Sequence, residues 1–82
     1  MSAWKLLNIG FENEEVLIAG KDVWNSTWHN SDEEPIMVPH PSYPWQTHKM
    51  WVYELETPIG RNKFAAREFS NQVWGIYIPE VE

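Results

Sequence analysis

No cysteine occurs in this 82-residue chain. That absence alone excludes disulfide staples, zinc–thiolate centres and thiol nucleophiles, and it suits a reducing compartment. Cations are scarce: six Lys and Arg stand against twelve Asp and Glu, for a formal net charge of −6. Such a balance attracts neither nucleic-acid phosphates nor an anionic membrane surface. The four glycines, Gly10, Gly20, Gly60 and Gly75, are isolated, so no glycine-rich loop is available to cradle a phosphate. No apolar run approaches the length of a membrane span. The first fifteen residues, MSAWKLLNIGFENEE, contain no apolar stretch of signal-peptide length. A cytoplasmic protein with no membrane partner is expected, and the sequon Asn25-Ser26-Thr27 is then coincidental.

Aromatic residues, by contrast, are abundant: six Trp, three Tyr and three Phe. A chain this short hides only about 60% of the surface its unfolded form exposes. Each ring brings roughly 150–250 Å² to be buried. Some rings should therefore stay partly exposed, and a contiguous exposed patch marks a ligand cleft or a contact with another chain. Self-association, as a dimer, is the expected use of apolar strand surface.

Acids concentrate in the first half. Residues 1–41 hold seven acids and two bases, against five and four in residues 42–82. The runs Glu12–Glu15 and Asp32–Glu34 read as solvated loops. The sharper alternative is an acidic inhibitor or regulator that docks on a basic protein.

Hydrophobic patterning points to strands. Residues 3–11 (AWKLLNIGF) read as a first strand, and Glu15–Gly20 (EVLIAG) as a second that pairs with it in a hairpin. In KDVWNSTWHN, Asp22 is placed to cap a short helix with Trp24 and Trp28 four apart. As a strand, the same residues would again share a face. Glu34–Pro39 offers a brief edge strand, since Pro35 and Pro39 cannot donate to a ladder. Pro39, Pro41 and Pro44 then make VPHPSYPWQTH stiff and extended, with Tyr43-Pro44 more favourable trans than cis.

His48–Glu56 is the clearest strand, with Met50, Val52 and Glu54 on one face and Trp51, Tyr53 and Leu55 on the other. Pro58 and Gly60 mark a tight turn. KFAAREF should return antiparallel, with Lys63, Ala65 and Arg67 toward water. Alternation breaks at Glu68 and Phe69, which predicts a bulge or a strand end. A helix over residues 63–73 is the competing reading. VWGIYIP (Val73–Pro79) is apolar throughout and reads as a strand buried on both faces, with Gly75 permitting close approach.

The expected fold is therefore all-β, or β-rich α+β. A single domain over residues 1–82 forms a small antiparallel sheet or barrel of five or six strands. It ends in a three-strand meander and has room for one short helix.

Chemistry-bearing motifs are sparse, and none marks a family. His29, His40 and His48 show neither HExxH nor HxH spacing, so no metal or cofactor is expected. The serines lack a nucleophile-elbow context. Glu54 and Glu68 are the acids that alternation aims at apolar faces. A small hydrolase or isomerase using one of them with a histidine is the catalytic alternative. Arg61, Lys63 and Arg67 beside Phe64 and Phe69 are thin support for single-strand nucleic-acid binding. Pro41-Ser42-Tyr43-Pro44 is formally a PxxP ligand, yet it lies between strands and should pack on its own domain.

What remains is recognition by rigid aromatics, which lose little entropy on binding. The candidate site comprises Trp24, Trp28, His40, Tyr43, Trp45 and His48, with the proline loop as one wall and Trp24 and Trp28 facing it. A loop that merely lids the core is the structural alternative. The expected function is a non-catalytic binding or interaction module whose partner is a small molecule, a protein or a second copy.

Overall fold

The computed structural model describes residues 4–40 and 42–80. Ala3, Pro41 and the last two residues, which figured in the expected first strand, proline loop and tail, lie outside them. Eight strands follow in chain order: β1 Trp4–Phe11, β2 Leu17–Ile18, β3 Lys21–Asp22, β4 Trp28–Asn30, β5 Ile36–Pro39, β6 Thr47–Thr57, β7 Gly60–Ser70 and β8 Val73–Pro79. Six form one antiparallel sheet in the order β1-β8-β7-β6-β4, with β5 also paired to β6. β2 and β3 make a separate two-residue ribbon. The fold is all-β, as expected.

β6, β7 and β8 form the expected meander. Thr57 pairs with Gly60, leaving Pro58 and Ile59 as the loop. Gly60 takes φ 116°, a conformation that side chains resist. The Thr57 hydroxyl donates to Gly60 O at 2.6 Å and accepts from Asn62 Nδ2 at 2.9 Å. Alternation along β6 sets two faces. Met50 and Val52 point to one, Tyr53, Leu55 and Thr57 to the other, and all but the half-buried Tyr53 are buried. The break in pattern at Phe69 is a bulge: Glu68 pairs with Trp74 and Ser70 with Val73, so Phe69 has no partner in the ladder.

Both faces are covered. On the tryptophan face, Leu55, Phe64, Ala66 and Ile76 lie against Val16, Ile18 and Val23, with Trp24, Trp28, Tyr53, Trp74 and Ile78 around them. On the opposite, histidine face, Met50, Ala65, Tyr77 and Val38 cluster with Trp4, Ile36 and Phe69. Val38 belongs to β5 and Tyr77 to β8, which are not neighbours in the sheet. The two residues share one cluster, and the Tyr77 hydroxyl donates to Pro39 O of β5 at 3.4 Å, so the sheet curls over this face; burial raises the Tyr77 hydroxyl's pKa.

Three expectations need correction. β1 does not pair with residues 15–20 but with β8, from Trp4 opposite Pro79 to Phe11 opposite Val73. VWGIYIP is apolar on both faces and so sits inside the sheet, with cover over each face and a strand along each edge. β7 lies along one edge and β1 along the other, which frees the segment from Val16 to Trp24 to fold over the tryptophan face. The helical alternative over residues 63–73 gives way to β7 and the turn to β8. Ala65, expected toward water, is fully buried because the curled sheet encloses its face.

The short helix proposed at Asp22 is a single 3₁₀ turn, Val23–Asn25. Asp22 caps it, its carboxylate accepting from Trp24 N and Val16 N, each at 3.3 Å, and from Asn25 Nδ2 at 2.6 Å. That hydrogen bond from Asn25, above all, holds the Asp22 carboxyl below its usual value.

Candidate ligand groove

The proline loop closes on itself before it meets the sheet. His40 N donates to Gln46 O and Gln46 N to Tyr43 O, both at 2.8 Å. The His40 ring is fixed from within the loop: Nδ1 accepts from Ser42 N at 3.0 Å and Tyr43 N at 3.2 Å. With Nδ1 acting as acceptor, neutral His40 carries its proton on Nε2.

The fixed ring packs on three others. Centroids lie 5.0 Å from Tyr43, 5.3 Å from His48 and 4.8 Å from Phe69. His48 and Phe69 also meet, at 5.3 Å. The loop thus stands above the histidine face and leaves a half-open hollow of about 450 Å³ against it. His40, Tyr43 and Gln46 line the loop side, and Ile9, His48, Phe69 and Val73 the sheet side.

Two polar atoms near this hollow lack partners among the described residues. His48 Nε2 and Arg67 Nε are buried and unbonded, although Arg67 Nη1 donates to Lys49 O at 2.8 Å. Burial, with the Arg67 charge and His40 nearby, pushes the His48 pKa below the ordinary histidine value. His48 is therefore a neutral imidazole near neutral pH. Its buried nitrogen is available to a ligand only if the ring shifts or the loop opens.

The structure unites three of the six expected residues, His40, Tyr43 and His48, in the groove. Trp45 stacks edge-on against Tyr43 at 5.5 Å but is 75% exposed and does not line the hollow. Trp24 and Trp28 do not face the loop; they lie across the sheet, on the tryptophan face. Their centroids are 5.5 Å apart, as their shared side implied. Trp74 sits 5.6 Å from Trp24, and Phe64 4.8 Å from Trp28. Trp28 Nε1 donates to Val23 O at 2.6 Å, so this indole pins the covering segment to the core. The reason for the misplacement is topological: the segment from Val16 to Trp24 covers one face, and His40 and residues 42–46 stand over the other.

Phe69, Val73, Ile9 and Gln46 were missed as site residues. Only Phe69 left a trace in the sequence, its broken alternation. Ile9 and Val73 come from opposite ends of the chain, and only the pairing of β1 with β8 brings them near the loop.

The remaining candidates are dispersed. Glu54 pairs with Lys63 on the histidine face and lies 3.6 Å from Arg61, whereas Glu68 is on the tryptophan face, accepting from Gln72 N at 2.9 Å. The two carboxylates cannot share a substrate. His29 Nε2 lies 3.6 Å from Glu56 Oε2. Among the described residues no three of His, Cys, Asp and Glu converge as metal ligands, and no helix is long and apolar enough to cross a membrane.

No protein-family model, curated protein or solved structure matches this chain.

Proposed function

We propose that this chain is a non-catalytic binding module that takes a small amphipathic molecule in the groove between the proline loop and the histidine face, and that it self-associates. The observation that carries the reading is the hollow itself. Its size falls in the range of ligand pockets, and rings that are rigid before any ligand arrives wall it. The complementary molecule has a planar aromatic body, to lie between Tyr43 and Phe69, and one hydrogen-bonding group directed at Gln46 on the loop side. The lack of cysteine fits a cytoplasmic setting.

The competing readings draw less support. For an enzyme using Glu54 or Glu68 with a histidine, Glu68 is engaged by Gln72 N on the tryptophan face, and Glu54, although opposite His29 in the ladder, lies 3.6 Å from Arg61. Several acids of the two acidic runs are engaged within the chain: Glu12 with Trp74 Nε1, Glu14 with Phe11 N and Glu33 with Lys63. Those contacts leave less free acidic surface for docking on a basic protein.

Saturation-transfer NMR with indole, benzoate and benzamide tests the groove. Binding is expected for at least one probe, with Tyr43→Ala and Phe69→Ala weakening it at least about tenfold and Trp45→Ala changing it little. If no probe binds at several millimolar, or if binding ignores both substitutions, the loop is a lid and the reading is lost.

A further inference from the structure

β1 is the outer strand of the sheet, and among the described residues no strand pairs with its free edge. Natural edge strands are commonly protected by charge, proline or brevity. β1 has eight residues, one charge and no proline, and Leu6, Leu7, Ile9 and Phe11 are all exposed. Its protection is limited to a bulge between Leu6 and Asn8 and to Glu14, whose Oε1 accepts from Phe11 N at 2.7 Å.

The bulge determines which residues share a face. Trp4, Leu6, Ile9 and Phe11 stand opposite Pro79, Tyr77, Gly75 and Val73, on the histidine face. Lys5, Asn8 and Gly10 stand opposite Ile78, Ile76 and Trp74, on the tryptophan face. The histidine-face row therefore reads alike from either end of the strand: an aromatic outermost, an aliphatic inside it. A second copy laid antiparallel, with its Phe11 opposite Trp4, matches faces along the strand. Leu6 then meets the copy's Ile9, and Lys5 meets the copy's Gly10.

That last pairing gives the charge complementarity. Gly10 is where the Glu14 carboxylate lies, so close that a Cβ on residue 10 would run into Glu14 Oε1. Lys5 has no carboxylate partner among the described residues. Each copy would bring the only charge on its β1 to the other's carboxylate, twice about one two-fold axis.

We propose that β1 is a homodimer interface, pairing antiparallel with β1 of a second copy in the register that sets Trp4 against Phe11 and Lys5 beside Glu14. The inference rests on the self-association part of the proposed function and is independent of the groove ligand. It adds one consequence for the groove: the copy's Leu6 lies beside Ile9 and extends the groove's wall.

Sedimentation equilibrium of the full chain between about 1 and about 500 µM tests it. A reversible dimer is expected. Ile9→Lys should raise its Kd at least about 100-fold with an unchanged far-ultraviolet circular-dichroism spectrum. Leu7→Lys serves as the second edge variant if Ile9→Lys does not fold. Lys5→Glu should raise Kd at least about tenfold, and adding Glu14→Lys should restore it to within a few-fold. A dimer indifferent to both edge lysines overturns the β1 interface while self-association stands. A dimer indifferent to Lys5→Glu overturns the register. A monomer at every concentration overturns both the interface and self-association.

Discussion

The ring of Phe69 rests against the backbone of Gly75, so close that a Cβ on residue 75 would run into the ring's Cε2 atom. The bulge leaves Phe69 without a ladder partner, and the glycine leaves room for its ring. In that position the ring reaches both His40 and His48 and forms the floor of the groove. Phe69 is thus held in the groove by an absent side chain on the neighbouring strand.

Gly75→Ala should displace Phe69 and destabilise the domain by about 1–3 kcal/mol, the usual cost of overpacking. The cost should shrink when Phe69→Ala is added, because the two changes share one contact. Urea denaturation of the two single variants and the double variant measures the coupling. Additive effects would mean that the ring and the glycine do not constrain each other.

The two kinds of tryptophan should behave differently. Trp28 is wedged between Phe64 and Tyr53 and tied to Val23 O. Trp28→Ala should cost about 3–5 kcal/mol, the range for a large core truncation. Trp45 is 75% exposed, and Trp45→Ala should change stability by no more than about 0.5 kcal/mol. Thermal or urea unfolding separates the two; comparable losses would contradict the assignment of faces.

His48 predicts an acid-side weakness. Its pKa is lowered from the ordinary 6.5, first by burial, then by Arg67 on β7 and His40 on the loop. The native state therefore favours the neutral ring, while the unfolded chain takes up the proton near the ordinary value. The contribution is intact above about 6.5 and is lost as pH falls through the lowered native value. Urea midpoints measured from neutral pH downward should fall for the wild type and fall less for His48→Gln. Equal pH dependence in the two proteins would show that His48 does not carry it.

Asp22 acts at lower pH and on the other face. Its carboxyl is held below 3.8 chiefly by the hydrogen bond from Asn25, with further bonds from Val16 and Trp24 N–H groups working against burial. That stabilisation is present above 3.8 and is lost as pH falls through the lowered value. Asp22→Ala should loosen the 3₁₀ turn and lower the unfolding midpoint at neutral pH, with a change in tryptophan emission as Trp24 shifts. An emission spectrum and midpoint like those of the wild type would mean that the cap is dispensable.

Much of the sheet was legible because its signals are local. Met50 and Val52 alternate with Trp51, Tyr53 and Leu55 by the period of two that any strand imposes. Pro58 and Gly60 announce their turn, and the phase error at Phe69 announces its bulge. Ala65 was misread because a small side chain flanked by Lys63 and Arg67 resembles an outward row. Only the curl of the sheet, which sets Tyr77 and Val38 over the same face, makes that position interior.

The sequence alone determined where the chain is extended, where it turns and which rings travel together. His40, Tyr43 and His48 converge because they lie within nine consecutive residues, joined by one stiff loop. Trp24 and Trp28 share a side whatever the backbone between them does. The tertiary structure decided which of these local groups face each other. β1 pairs with β8 because an apolar strand at one end of the chain needs an edge that the other end can cover. That choice sends Trp24 and Trp28 to the far face and delivers Ile9 and Val73 to the loop. Alternation is set residue by residue, whereas the partner of a strand is set by the burial summed over every strand at once.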